Sequence, residues 1–268
     1  MSFRGNAAVV RLGRDLAALP SAALGFFGWA IFFGAWYGVT RFSIVPEILL
    51  PPPHKVISAA VALFTQDAFA YDLWASVKRI FTSFALTCMI GVPLGIAVGI
   101  FAPARAFFGP FVAAWRYLPA AAFVPILLMW LGTGEPPKLA LLMMGVVFFQ
   151  ITIVADMTRA IPQPLLETAM TLGAGRWQVV ARVVLPWMWP NVVVAMRQTI
   201  AIGWTYLVIA EIIASTDGIG AVMMRAQRFV HTDKIIVCIV AIGILGLLTD
   251  WAFQQLYRWL FQNLSVRT

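Results

Sequence analysis

Ile80-Phe-Thr-Ser-Phe-Ala-Leu-Thr-Cys-Met-Ile-Gly-Val-Pro-Leu-Gly-Ile-Ala-Val-Gly-Ile-Phe-Ala102 is a 23-residue run without a charged side chain, bounded by Arg79 and Arg105. As an α-helix it would be about 34 Å long, enough to cross the roughly 30 Å hydrocarbon core of a bilayer. A run of this length is too long for the strand of a soluble sheet and too apolar for a surface helix. Within it, Gly91, Gly95 and Gly99 recur every four residues. That spacing puts them on one helix face, where a second helix can approach closely.

Composition extends this reading to the whole chain. Of 268 residues, 62% are hydrophobic and 11% charged, and the mean hydropathy is +0.88. Ordinary globular chains carry about 25% charge. So few charges cannot cover a soluble surface of this size, which excludes a soluble enzyme, a disordered chain and a disulfide scaffold. Cutting at charges and turn formers predicts an all-α, polytopic membrane protein forming one transmembrane domain over 1–268. It has about six spans: 22–39, 80–102, 117–133, 139–155, 187–213 and 235–257. The uncharged run from Leu16 to Thr40 exceeds a signal-peptide core of 7–15 residues, so it reads as a retained first span. Pro119 and Pro125 are expected to kink the third span, and Gly132-Thr-Gly-Glu-Pro-Pro-Lys138 to form the hairpin into the fourth. Pro51-Pro-Pro53 suggests a stiff piece leading into an interfacial helix.

The formal charge of +8 is spread along the chain without a cluster of five or more, which argues for headgroups and against nucleic acid. With Arg197 inside a span, the other eighteen basic residues split ten on the face of the termini, including Arg4, Arg11, Arg14 and Arg267, and eight opposite. The excess places both termini in the cytosol. His54 and His231 are isolated, and Cys88 and Cys238 lie apart in apolar runs, so no metal site or redox pair is expected. Gly173-Ala-Gly-Arg176 lacks the following Gly-Lys-Ser/Thr of a phosphate loop, so the chain is expected neither to bind a cofactor nor to hydrolyse ATP.

Two ionisable residues fall within the fifth span. Arg197 and Glu211 are separated by about 21 Å on a continuous helix and cannot pair within one copy. Each costs about 2.5–3.5 kcal/mol at mid-membrane. They are candidates for a water-filled translocation path; alternatively, Arg197 reaches to the headgroups and Glu211 bonds to neighbouring helices. Residues 157–186 form a long polar break. There Pro162 and Pro164 are expected to open a short helix, Glu167 to complement its N-terminal dipole, and Gly173 to Gly175 to end it. A second helix then runs to Leu185 and stops at Pro186.

Glu167-x-Ala169, Gly173-Ala174 and Leu185-Pro186 together resemble the coupling loop of inner-membrane permeases of bacterial ABC importers. Pro119 and Pro125, Trp130-Leu-Gly-Thr-Gly-Glu135, Ala210-Glu211 and Gly218-Ile-Gly220 are similar to the branch importing nitrate, sulfonates, taurine and related solutes. Thr168 departs from the second alanine usual in that pattern, but it is also small. The resemblance implies a multi-pass protein of the inner membrane, forming a homodimer with two cytosolic ATPase subunits that bind the ATP and a periplasmic solute-binding protein. It makes 157–186 a cytosolic coupling loop. A self-sufficient secondary transporter and a membrane-embedded enzyme are the rivals. For the enzyme only Glu211, Asp250 and Asp156 are available as acids, on different spans.

Overall fold

The computed structural model describes residues 18–214 and 216–262. The charges at Arg4, Arg11, Arg14 and Arg267, both termini and Ser215 lie outside the described residues. Among the described residues every regular element is helical. Two units divide the chain, Met1–Ser58 and Ala59–Thr268.

In the first unit, α1 (Ala18–Arg41) covers the first expected span. Its rings form a ladder, with Phe33 stacked 5.9 Å from Trp29 and 6.2 Å from Trp36. The Trp36 indole N–H donates to the carbonyl of Pro51 at 3.1 Å, tying the helix to the proline segment that follows. Pro53 then opens α2 (Pro53–Gln66), a position where its missing N–H costs nothing.

The second unit is organised around α3 (Phe69–Ile100) and α6 (Glu135–Arg159). These two run parallel: a Cβ added at Gly91, Gly95 or Gly99 would meet Gln150 at 2.8 Å, Val154 at 2.7 Å or Thr158 at 2.5 Å, a constant offset along both chains. The four-residue glycine spacing is therefore the groove into which α6 is pressed. α3 begins well before the expected Ile80, and α6 before Leu139. Both extensions carry charges, Asp72 and Arg79 on α3 and Glu135 and Lys138 on α6, that find partners inside the protein instead of in the headgroups. The hairpin expected over 132–138 is thereby shortened to the glycines, with Gly132 and Gly134 at positive φ, while Glu135-Pro-Pro-Lys138 forms the first turn of α6.

The third span is not the single kinked helix over 117–133 that the sequence suggested. It is α4 (Ala102–Trp115), a 3₁₀ turn (Ala120–Phe123) and α5 (Val124–Leu131), with an 87° bend between the two arms. Pro119, lacking an N–H and disfavouring helix in the residue before it, breaks the chain there instead of bending it.

The polar break is likewise more helical than expected. After α7 (Gln163–Thr171), α8 (Arg176–Val179) passes through a π turn (Val180–Val184) directly into α9 (Leu185–Ala214). Pro186 does not stop the helix. The π turn, in which the Leu185 N–H reaches back to the carbonyl of Val180, widens the helix where the proline ring would otherwise strike the preceding turn. α10 (Ile219–Arg228) and α11 (Thr232–Phe261) complete the unit. Ile80, Phe84, Leu142, Ile200, Trp204 and Leu207 form the core where α3, α6 and α9 meet. Among the described residues five helices are long and apolar enough to cross a membrane, or six with the bent pair as one span.

Candidate functional site

The polar segment from Gln163 to Pro186 is built around one turn. Beyond α7 the Gly173 N–H bonds to the carbonyl of Met170 at 2.9 Å and the Ala174 N–H to that of Ala169 at 3.1 Å. This is the paired closure of a Schellman motif, with Gly173 in the left-handed position at φ 85°. Gly175 starts the next helix, its N–H bonded to Gln178 Oε1 at 2.9 Å. Ala169 and Ala174 face inward onto Ile161, Val179, Val184 and Met188, so their small size lets α7 lie close to the base of α9. Leu185 is half-buried beside the π turn and Pro186 is exposed. Glu167 is exposed and sits beyond the first turn of α7, so it does not complement that helix's N-terminal dipole as expected. Leu172 and Trp177 are 82% and 77% exposed, and Met170 and Leu165 of α7 are exposed as well.

The second constellation gathers at the opposite ends of α3 and α6. Glu211, fully buried, accepts hydrogen bonds from Ser76 Oγ at 2.7 and 2.9 Å and from the Gly220 N–H at 2.8 Å, and it pairs with Arg79 Nη1. The other donors of Arg79 reach Glu135 at 2.6 and 2.8 Å and Asp217 at 3.1 Å. Lys138 supports Glu135 at 2.8 Å. Asp72 accepts from the Gly218 N–H at 2.7 Å and from Arg225 at 3.0 Å, and the Ile219 N–H donates to Ser76 Oγ at 2.9 Å. The first N–H groups of α10 are thus satisfied by side chains of α3 and α9, with carboxylates at the positive end of its dipole. Gly218 and Gly220 are required by contact: a Cβ on either would lie 2.6 or 2.5 Å from the Glu211 side chain.

The sequence reading placed Arg197 and Glu211 together as path candidates, and the structure puts them in different surroundings. Glu211 is enclosed by protein. Arg197 pairs with Asp250, which also accepts from Gln254 at 2.8 Å, beside an open cavity of about 560 Å³ between α9 and α11. Both members of that pair are partly exposed, with side chains at 41% and 37%. Asp72, Ser76 and Arg79 were missed as site residues. Their spacing of four and three residues, one face of a helix, was the available signal. Among the described residues no group of three or more His, Cys, Asp or Glu is placed to hold a metal ion.

Residues 91–262 match the family described as "Binding-protein-dependent transport system inner membrane component". The chain belongs to this family. It is 29% identical over 235 residues to the taurine transport system permease protein TauC of Escherichia coli K12, covering 85% of each chain. A probable ABC transporter permease protein of Brucella melitensis biotype 1 is 30% identical over 246 residues, covering 92% of this chain and 99% of that one. The MetNI methionine ABC transporter, in an inward-facing conformation, contains a chain of like fold, with TM-score 0.65 and 21% identity over 72% of this chain and 98% of its own. A chain of a bacterial alginate importer aligns with TM-score 0.57 and 16% identity over 90% and 94%. This binding-protein-dependent permease is thus a membrane-embedded transport component. The family match includes residues 163–186 and Glu211 but begins after Asp72, Ser76 and Arg79, so three of the eight side chains of the cluster lie on the part of α3 that precedes it.

Proposed function

We propose that two copies of this chain form the translocation path of an ATP-driven importer for a small solute such as nitrate, a sulfonate or taurine. A periplasmic binding protein delivers the solute. Two cytosolic ATPase subunits hold the ATP and dock on the segment from Glu167 to Pro186, and the termini lie on their side of the membrane. The observation that carries this is the coupling segment itself. Its inner side is anchored through Ala169 and Ala174. It exposes Leu165, Met170, Leu172 and Trp177, an apolar knob on a polar stretch, which suits a groove on a partner. Because α8, the π turn and α9 are continuous, a push on the knob is delivered along a 38-residue helix lever reaching to Ile213.

The solute classes are those of similar proteins: the relatives include permeases named for taurine, aliphatic sulfonates and bicarbonate. Uptake into proteoliposomes containing the permease with its binding protein, with and without the ATPase, tests the proposal. Uptake that requires ATPase and ATP is expected. Uptake by the permease alone would mean a secondary transporter.

A further inference from the structure

At the end of α6 that leads into α7, residues of α4 and α6 line an open cavity of about 280 Å³. Its lining carries three guanidinium groups, Arg105, Arg116 and Arg159, against one carboxylate, Asp156. Asp156 is already engaged by Arg159 at 2.5 Å. Among the described residues Arg105 and Arg116 have no carboxylate partner, which leaves an excess of two positive charges on the walls. The Arg116 Nε is buried and has no hydrogen-bond partner. An orphaned donor of that kind is costly unless something accepts from it.

Arg105 and Arg159 are exposed whereas Arg116 is half-buried, and Arg159, which closes α6, stands about 10 Å along that helix from Ile151 and Thr152 in the same lining. Gly109 lines the same space, and a Cβ built on it would meet nothing within 4 Å. The volume is below the roughly 300–1,000 Å³ of pockets for drug-sized molecules, and the donors are planar forks suited to tetrahedral or planar oxygen groups.

We propose that this cavity binds an oxyanion, a phosphate or sulfonate group held by Arg116 at its floor and by Arg105 and Arg159 at its mouth. The group is carried either by a free small anion or by the headgroup of an acidic phospholipid. The inference requires that the chain sit in a membrane, and it does not depend on the docking of an ATPase.

The test uses the permease in nanodiscs of phosphatidylcholine, checked for intact assembly by size exclusion. One arm titrates inorganic phosphate and methanesulfonate by calorimetry. The other adds phosphatidylglycerol and counts retained lipid by native mass spectrometry. Saturable binding in at least one arm is expected, identifying the source. Arg116→Gln should weaken it about tenfold or more, the worth of one charge-assisted hydrogen bond. Gly109→Leu, which fills the cavity without touching a charge, should do the same, and Arg228→Gln, on α10, should leave it unchanged. Absence of binding in both arms overturns the proposal, and so does binding that survives both Arg116→Gln and Gly109→Leu.

Discussion

Replacing Glu211 by glutamine separates a structural carboxylate from one that works in a translocation path. The wild-type side chain uses both oxygens: one faces Arg79 and Ser76, the other Ser76 and the Gly220 N–H. All the surrounding groups can donate. A glutamine keeps one oxygen, so whichever way the amide is turned, its NH₂ faces either Arg79 or the Gly220 N–H. One charge-assisted bond is lost, at about 1.5–3 kcal/mol, and a buried donor is left facing another donor, at about 1–3 kcal/mol. The sum, about 2.5–6 kcal/mol, brackets the roughly 3–5 kcal/mol that removing one partner from a buried ion pair usually costs. Arg79, whose side chain is 2% exposed, cannot recover the loss from water. The assay is unfolding by titration of dodecyl sulfate into mixed micelles, followed by helical circular dichroism. The Glu211→Leu variant combined with Arg79→Met should be closer to wild type than either single change, because it removes both charges together. A Glu211→Gln protein as stable as wild type but unable to transport would refute this reasoning and return Glu211 to the path.

Gly220→Ala should destabilise the protein by about 1–3 kcal/mol in the same titration, since its Cβ would press on Glu211 Cβ at 2.5 Å and on the Ile212 nitrogen at 3.0 Å, atoms of a packed helix that cannot move aside. Gly173→Val should abolish uptake and ATPase co-purification while leaving membrane insertion intact. Its Cβ would meet no atom within 4 Å, so the effect comes from the positive φ alone, about 1–3 kcal/mol of strain, and Gly173→Asn, which tolerates that region, should retain most activity. In a background lacking Cys88 and Cys238, a cysteine at Glu167 should resist an impermeant maleimide in intact, outer-membrane-permeabilised cells, and one at Asp217 should react; labelling at 167 would reverse the topology. The purified chain alone should show no azide-insensitive ATP turnover.

Membrane residence, helical class and the turn inside the polar break were legible in the sequence because each rests on a local property. Uncharged length is read from consecutive residues, and so is a polar break punctuated by glycine and proline. Even the glycine face of α3 was readable, since helical periodicity alone aligns Gly91, Gly95 and Gly99. Gly173 at the turn was readable for the same reason: a left-handed backbone position is a property of one residue. Pro119 and Pro186 show where local reading stopped. Both are helix breakers by chemistry, yet one breaks the chain and the other is carried through by a π turn, a choice made by what packs around each.

The partners of the charges were decided only by the tertiary structure. Arg79 looked like the headgroup boundary of a span, and Glu135 and Lys138 like a solvated hairpin. In the fold they surround Glu211, which lies 132 residues from Arg79 along the chain. A charge at the end of an apolar run is equally consistent with water, lipid or a buried partner, because sequence records the cost of burying it but not whether another segment supplies the opposite charge. The parallel packing of α3 on α6 supplies it here: it brings Arg79 to Glu135, and α9 returns antiparallel to place Glu211 beneath both. For the same reason Arg197 and Glu211, alike as intramembrane ions in the sequence, part company once Asp250 comes beside the one and Arg79, Ser76 and Gly220 enclose the other.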